Sequence, residues 1–301
     1  MVCKLNYSIL TVLLGICLVA AVCLAEWGFP GDVPADVAVE AEDADTFRLP
    51  VAMYHHILPT PSKWGDYVIS PDQFEEDLKY LQSCGYTAIT TSELLAAVTE
   101  DAPLPEKPIL ITFDDGYESV HEYAYPLLQQ YGMKAVVSII GSHTDLFSNP
   151  QEPRHINYSH LSWDQLREMQ SSGVFEIGNH TYNMHEDGSN GKRYGIRIQK
   201  GESAEEYREA LYQDIGALSS QMEWELGSRP NVFAYPFGAL CRESRPLLTE
   251  MGFEIILTCE EKVNIISSQT EKPLVLRRFN RAHRYSTYDY FKQMGITPGE
   301  P

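Results

Sequence analysis

The stretch "ILITFDDGYE", residues 109–118, decides the fold, because an apolar run ends in two adjacent carboxylates and a glycine. The apolar half predicts a buried strand, and the residues after it predict a sharp turn at the C-terminal end of that strand. Two carboxylates held side by side repel each other, and a bound cation removes that penalty. The stretch therefore predicts a charged site, with a divalent ion, at the end of a strand.

Short β-rich runs alternate with amphipathic helical segments after Leu49, as in a parallel sheet built from βα units. Strands are predicted at 51–56, 87–90, 108–113, 134–140, 174–178, 231–235, 253–258 and 274–278. Helices are predicted within 70–85, 162–173, 203–227 and 242–252. This alternation, without a glycine-rich dinucleotide fingerprint after the first strand, predicts an α/β fold: a distorted (β/α) TIM-like barrel of seven or eight parallel strands.

Two connections are longer than the rest, at 141–160 and 186–202. Long loops in a compact domain are commonly functional or mobile. The second loop follows His185 directly and concentrates four cations, Lys192, Arg193, Arg197 and Lys200. We expect it either to border a substrate groove or to be a solvated hairpin tip.

The N-terminal region divides into two segments before the predicted catalytic domain at 50–301. Residues 1–25 contain a long uncharged run that fits either a signal peptide or a signal-anchor. Residues 26–49 are acidic and lack apolar periodicity, which predicts a disordered linker. We therefore expect an extracytoplasmic protein, secreted or anchored at the cell surface, with the N-terminal segment as the membrane tether in the second case.

The net charge limits the classes of partner that the chain can bind, and the cysteine content limits the disulfides that it can form. The chain has 42 acidic and 23 basic residues, for a net charge of −19, which argues against nucleic acid as a partner. Outside residues 1–25 only Cys84, Cys241 and Cys259 remain, an odd number without the spacing of a zinc site. We expect buried or reduced thiols, with a single disulfide from Cys241 to Cys259 as the alternative.

Candidate site residues collect at the predicted C-terminal strand ends, where parallel barrels carry their chemistry. They are Tyr54, His55, His56, Asp114, Asp115, His180, His185, Tyr235 and Pro236. A lone histidine or a single Asp-Asp-Gly is more often structural, but four strand ends that point at one mouth favour a site. One aspartate with His180 and His185 would give a three-ligand metal site that leaves positions open for water and substrate.

Three segments resemble, in order, motifs of the polysaccharide deacetylases, carbohydrate esterase family four, also called the NodB-homology domain. They are "TFDDG", "EIGNHTYNMH" and "FAYPFG", and the resemblance extends over most of residues 50–280. It implies that Asp114 is the catalytic base and that Asp115, His180 and His185 bind one divalent metal. The ion we expect is Zn²⁺, with Co²⁺ and Ni²⁺ as alternatives.

The resemblance is closest to the subgroup that deacetylates poly-N-acetylglucosamine. The histidines are five residues apart rather than four, and the usual C-terminal Leu-x-His motif is missing. In that subgroup the acid histidine lies on the first strand in a Tyr-His pair, which "MYHHI" matches. The resemblance thus implies His55 as the catalytic acid, with His56 and His283 as competitors.

The remaining roles also come from the resemblance. The backbone N–H of Phe237, just after Tyr235 and Pro236, would donate to the oxyanion. Arg278 would orient the catalytic aspartate. Arg277 and Arg281 are close enough in sequence to compete for that role.

The implied activity is hydrolysis of N-acetyl groups on an N-acetylglucosamine-containing polysaccharide at the cell surface or outside it. An O-acetyl esterase of the xylan type would use the same metal and base, so it stays an alternative. A non-catalytic glycan-binding barrel is the third interpretation, and the intact Asp114, Asp115, His180 and His185 argue against it.

Overall fold

A computed structural model describes residues 46–299 of the chain. The predicted signal peptide or signal-anchor at 1–25 lies outside the described residues, as does the linker up to residue 45. The last four linker residues form strand β1 (Thr46–Leu49), which pairs antiparallel with β11 (Asn264–Ser267). Phe47 and Leu49 point to the same face of β1 and pack on the core. The folded region therefore includes four residues that the sequence assigned to the linker.

All eight predicted strands are present, each within two residues of its predicted bounds. They are β2 (Val51–Tyr54), β5 (Thr87–Ile89), β6 (Pro108–Phe113), β7 (Ala135–Ile139), β8 (Phe175–Asn179), β9 (Val232–Ala234), β10 (Ile255–Leu257) and β12 (Leu274–Leu276). Short strands add to these: β3 (His56–Ile57) pairs with β4 (Val68–Ile69), and β13 (Phe279–Asn280) pairs with β2. The main-sheet strands are almost wholly buried, which explains why they read as continuous apolar runs.

The main sheet is parallel and has the order β12-β10-β9-β8-β7-β6-β2-β13, with β5 also paired to β6. Only Arg277 and Arg278 separate β12 from β13. The two ends of the order are therefore parts of one stretch of chain, and the sheet returns to its beginning. This closure gives the distorted (β/α) barrel that the sequence predicts.

Helices cover the barrel on the outside. They are α1 (Pro71–Ser83), α2 (Thr91–Glu100), α3 (Tyr125–Tyr131), α4 (Gly141–Ser148), α5 (Trp163–Ser171), α6 (Ala204–Leu211), α7 (Ala217–Leu226), α8 (Ser244–Glu250) and α9 (Thr287–Lys292). Capping boxes begin α1 at Ser70 and α5 at Ser162. The long helix predicted at 203–227 is interrupted by a π-helical turn at Tyr212–Gly216, between α6 and α7.

The loop prediction for 141–160 is wrong in its first half, where α4 forms. Gly141, Ser142 and His143 carry no helical signal, but tertiary hydrogen bonds fix the start of the helix. The amides of Gly141 and Ser142 donate to the carbonyls of Thr181 and Tyr182, at 3.0 and 2.8 Å. A contact from a distant part of the chain thus replaces the missing local cap.

The cysteines of the folded region are all reduced. Cys84, Cys241 and Cys259 are all free thiols, so the alternative of a Cys241–Cys259 disulfide is wrong. The Cys241 thiol instead lies 3.0 Å from the hydroxyl of Tyr207.

Among residues 46–299, no helix combines the length and the apolar composition that a membrane crossing needs.

Candidate active site

A cleft of about 380 Å³ opens where β2, β6, β8 and β9 end, at the C-terminal mouth of the barrel. Its lining residues are Met53, His55, Tyr67, Asp114, Asp115, His180, His185, Tyr194, Phe237, Cys259 and Asn280. Six of these were predicted as site residues from the sequence. The strand ends thus bring together side chains that are more than 180 positions apart in the chain.

Three side chains in the cleft converge on one point. The Oδ1 atom of Asp115 lies 3.5 Å from Nε2 of His180 and 3.2 Å from Nε2 of His185. Among the described residues, these three are the group of ligand-type side chains that could hold a metal ion, with all ligand atoms within 4.8 Å of one another. This is the metal-ligand set that the sequence predicts.

The backbone around these ligands is bent in an uncommon way. Asp115 and Thr181 have φ angles of 69° and 74°, in the left-handed region that residues other than glycine rarely occupy. Gly116 follows Asp115 with a φ of 70°, and a Cβ there would meet Ile139 at 3.0 Å. The turn therefore requires glycine at 116, as the sequence indicated.

A buried carboxylate outside the motifs shapes the ligand loop between His180 and His185. Asp214 accepts hydrogen bonds from the amides of Tyr182 and Asn183, both at 2.8 Å. Burial raises the pKa of Asp214, although these two amides counteract it. Sequence reasoning missed Asp214 because it lies in the π-helical turn and carries no motif signal.

The donor chemistry of the three residues fits a cation. The Nδ1–H of His180 donates to the carbonyl of Ala234 at 2.8 Å, which leaves a lone pair on Nε2 directed at the Asp115 carboxylate. Two acceptors at this distance repel unless a positive charge lies between them. Burial lowers the pKa of His180, but the hydrogen bond that the protonated ring donates to Asp115 and the charge of Asp114 outweigh burial and raise the pKa. The site therefore favours positive charge.

Asp114 is paired with Arg278. The guanidinium donates from Nη1 and Nη2 to the two carboxylate oxygens, each at 2.7 Å, and from Nε to the Thr258 carbonyl at 2.9 Å. Both residues are buried, at 2% and 0% exposure. Of the three candidate arginines, Arg277 instead pairs with Glu260 at the surface and Arg281 with buried Asp77.

The three candidate acid histidines occupy different environments. His55 lines the cleft, and its ring contacts that of Tyr67 edge-on at 4.9 Å between centroids. His56 turns away, with Nδ1 2.6 Å from the hydroxyl of Ser119. His283 lies outside the cleft lining, with Nδ1 2.5 Å from Oε1 of Gln73.

The segment Tyr235–Phe237 lies beside the ligands, but its members differ. The Tyr235 side chain is fully buried, and its hydroxyl lies 2.6 Å from that of Ser244, so it does not line the cleft as a substrate contact would. Pro236 is also buried. Phe237 lines the cleft with a φ of 56°.

Several lining residues were not predicted as site residues. They are Met53, Tyr67, Tyr194, Cys259 and Asn280. Tyr67 lies in the connection after β3, and Tyr194 comes from the 186–202 loop, so the prediction that this loop borders the groove fits the position of Tyr194. Met53 carried a sequence signal in its position next to a strand end, and Tyr194 carried one in its position on the predicted loop.

A family model described as polysaccharide deacetylase matches residues 101–256, about half of the chain. A poly-β-1,6-N-acetyl-D-glucosamine N-deacetylase of Escherichia coli K12 is 26% identical over 216 residues, covering 67% of this chain and 32% of the relative. A protein of the same name from Staphylococcus aureus MRSA252 is 27% identical, covering 65% and 63%. The chain thus spans about a third of the first relative and under two thirds of the second.

The structure is also similar to that of IcaB from Ammonifex degensii. The TM-score is 0.64 at 28% sequence identity, covering 78% of this chain and 91% of the other.

Proposed function

This chain belongs to the polysaccharide deacetylase family, and we propose that it hydrolyses N-acetyl groups of an N-acetylglucosamine-containing polysaccharide in a metal-dependent reaction. The names of the Escherichia coli and Staphylococcus aureus relatives support the choice of substrate. The predicted leader supports action outside the cytoplasm, on a cell-surface or extracellular polymer.

One observation carries the proposal: a buried, arginine-paired carboxylate and a three-residue metal-ligand cluster open into the same cleft. Asp114 and Asp115 are adjacent in the chain, yet they meet different partners. Asp114 faces Arg278, whereas Asp115 faces the two histidines. This division of partners resolves the repulsion between neighbouring carboxylates and leaves each with its own role.

Asp114 is the proposed general base, which takes a proton from the attacking water. Burial raises its pKa, but the charge and hydrogen bonds of Arg278 outweigh burial and lower the pKa overall. The carboxylate is therefore ionised before substrate arrives. Because both oxygens accept from the guanidinium, Arg278 also fixes the plane in which the base can receive a proton.

Asp115, His180 and His185 are the proposed metal ligands. When bound, a divalent ion such as Zn²⁺ supplies Lewis-acid polarisation of the acetyl carbonyl and makes a coordinated water more acidic. The Ala234 carbonyl holds His180 in the tautomer that presents Nε2 to the cleft. Asn179 supports the ligand loop, because its Oδ1 accepts from the Thr181 amide at 2.8 Å.

His55 is the proposed general acid for the departing amine. Attack of water on the acetamide carbon forms a C–O bond, and cleavage of the C–N bond then needs a proton on nitrogen. Burial lowers the pKa of His55, while the charges of Asp115 and Asp114 counteract it, so its imidazolium is a stronger acid than an exposed one. The Phe237 N–H is the proposed second donor to the oxyanion, in a role worth about 3 kcal/mol when well aligned.

Acetate release from four substrates tests the proposal: poly-β-1,6-N-acetylglucosamine, chitooligosaccharide, peptidoglycan and acetylxylan, each with added Zn²⁺ or Co²⁺. We expect acetate from the N-acetylglucosamine polymer and little from acetylxylan. Acetate from acetylxylan alone would favour the O-acetyl esterase. Tight glycan binding without acetate from any substrate would favour the non-catalytic barrel.

A further inference from the structure

The two proposed ligand histidines are supported in different ways. His180 is buried, and its Nδ1–H donates to the Ala234 carbonyl. The His185 side chain is 20% exposed, and among residues 46–299 its Nδ1 has no hydrogen bond like the one that His180 makes. Metal-bound histidines usually donate their second ring nitrogen to a fixed acceptor, which orients the ring. His185 therefore needs another source of orientation.

A column of packed side chains provides this orientation. The centroid of the His185 ring lies 4.4 Å from that of the Phe237 ring, with the two rings tilted to each other. The Phe237 ring stacks on the Tyr194 ring, with 5.5 Å between centroids and 21° between the planes. The Arg197 guanidinium covers the Tyr194 ring at 5.1 Å. The column thus runs from the ligand through Phe237 and Tyr194 into the 186–202 loop.

The outer end of the column is held firmly. Ile196, between Tyr194 and Arg197, is fully buried, and its carbonyl accepts from the Tyr207 hydroxyl at 2.7 Å. A Cβ at Gly195 would lie 2.9 Å from Ala239 and 3.1 Å from the Pro236 carbonyl, so the loop docks closely on the segment that carries Phe237. A loop anchored in this way can hold a ring in place.

The inner end is constrained too. Phe237 keeps a left-handed backbone with a φ of 56°, which is a strained conformation for a residue other than glycine. That conformation places its ring between His185 and Tyr194. A leucine or alanine at 237 would keep the backbone path but lose the stacking surface.

We propose that Phe237, Tyr194 and Arg197 form a positioning column that orients His185 for metal binding, in place of the hydrogen bond that orients His180. The inference rests on the metal site of the proposed function. The column assigns a role to the 186–202 loop: it belongs to the support of the metal site and does more than border the groove. It also explains why two aromatic side chains stay 43% and 37% exposed at the cleft.

Cobalt binding to the metal-stripped full chain tests the column without measuring activity. Co²⁺ is titrated in, and its visible absorption gives a Kd and reports the ligand geometry. Loss of an outer support for a metal ligand weakens affinity by roughly 10–100-fold, and we expect Tyr194→Ala to fall near the lower end. Tyr194→Phe keeps the ring and should keep the wild-type Kd.

Tyr67→Ala is the matched control, because Tyr67 is an exposed cleft tyrosine that contacts a histidine outside the ligand set. Its Kd for Co²⁺ should equal that of the wild type. Phe237→Leu provides a second break in the column and should weaken Co²⁺ binding as Tyr194→Ala does. Near-ultraviolet circular dichroism of each metal-free variant establishes that it is folded.

The outcomes separate the column from the proposed function. Wild-type Kd values in both folded Tyr194→Ala and Phe237→Leu overturn the column and leave the metal site intact. An equal loss in Tyr67→Ala also overturns it, because the effect would then belong to the cleft in general. A wild-type chain that binds no Co²⁺ overturns the metal site of the proposed function, and the column with it.

Discussion

The guanidinium of Arg278 donates two hydrogen bonds of 2.7 Å to the carboxylate of Asp114, and both side chains are buried. Arg278 comes from the short connection between β12 and β13, where the barrel closes, and Asp114 from the end of β6. Closure of the barrel therefore brings the Arg278 guanidinium to the proposed base, whose pKa it lowers against the effect of burial.

The first prediction follows from that pair. Burial raises the pKa of Asp114 and Arg278 lowers it, so Arg278→Met should leave burial as the dominant effect and raise the pKa. The acid limb of the kcat/KM profile should move to higher pH, because the base is protonated over a wider acidic range. Removal of one partner of a buried pair should also cost about 3–5 kcal/mol of folding free energy.

Arg277→Ala is the control for this prediction, since Arg277 pairs with Glu260 at 39% and 61% side-chain exposure. Exposed pairs contribute roughly 0–1 kcal/mol, so its stability and its acid limb should stay near those of the wild type. An unshifted acid limb in Arg278→Met would show that Arg278 does not set the charge of the base.

The depressed pKa of Asp114 also predicts a direction for stability. A carboxyl whose folded-state pKa lies below its unfolded value of about 3.9 stabilises the fold above that value. This contribution should be lost as the pH falls through the folded pKa. Urea unfolding across the acidic range should show a weaker pH dependence in Asp114→Asn than in the wild type, and equal slopes would contradict the assignment.

Metal content tests the ligand set. Asp115→Ala, His180→Ala and His185→Ala should each lose the ion, because each removes one of three protein ligands. Elemental analysis after dialysis gives the ratio of metal to protein. His143→Ala is the matched control, a histidine on α4 that contacts His160 outside the cluster. Stoichiometric metal in the variant lacking both His180 and His185 would rule out this site.

The pH profile distinguishes the proposed acid from its competitor. His55→Ala should remove the alkaline limb of kcat/KM and slow amide hydrolysis far more than hydrolysis of an activated ester, whose leaving group departs unprotonated. Because burial lowers the pKa of His55 and kcat/KM reports the free enzyme, the wild-type limb should lie below the ordinary histidine value of 6.5. His283→Ala should keep the limb, and the reverse pattern would place the acid at His283.

A stability prediction concerns Arg281, the arginine that the sequence left in competition for the site. It pairs with Asp77 with both side chains fully buried, and Asp77 also accepts from Tyr54 and Thr287. Arg281→Ala should cost about 3–5 kcal/mol in urea unfolding, because it leaves a buried carboxylate without its charge partner. Arg284→Ala, at an exposed pair with Asp66, serves as the control and should cost roughly 0–1 kcal/mol.

The strands could be predicted because buried parallel strands leave an unmistakable apolar run between turn residues. The cluster of Asp115, His180 and His185 could be predicted because Asp115 and His180 come just after such runs and the family resemblance supported His185. The resemblance pointed to Arg278 as the partner of the catalytic aspartate, but the residue pattern alone could not separate it from Arg277, next to it, or Arg281, three residues on. Arg277 and Arg278 are the two residues between β12 and β13, and the Arg278 side chain is the one that points inward. This orientation is visible only in the folded barrel.

The misses have a common physical cause, which is tertiary contact. Helix α4 begins through bonds to Thr181 and Tyr182 rather than through a local cap. The Tyr235 side chain turns to Ser244 and away from the cleft, which its position after a strand does not reveal. Asp214 supports the ligand loop from a distant π-helical turn. None of these contacts leaves a periodic or spaced signal in the sequence.

Metal-dependent N-deacetylation by this chain can be measured by following acetate and free amine together, on a poly-β-1,6-N-acetylglucosamine oligosaccharide with the Zn²⁺-loaded chain. N-deacetylation must release one acetate for each amine that appears, and both products should vanish in Asp115→Ala and after removal of the ion by a chelator. Equal yields of the two products that depend on Asp115 and on the metal are the predicted result. Acetate without amine, or no acetate from the metal-loaded wild type, would contradict N-deacetylation by this chain.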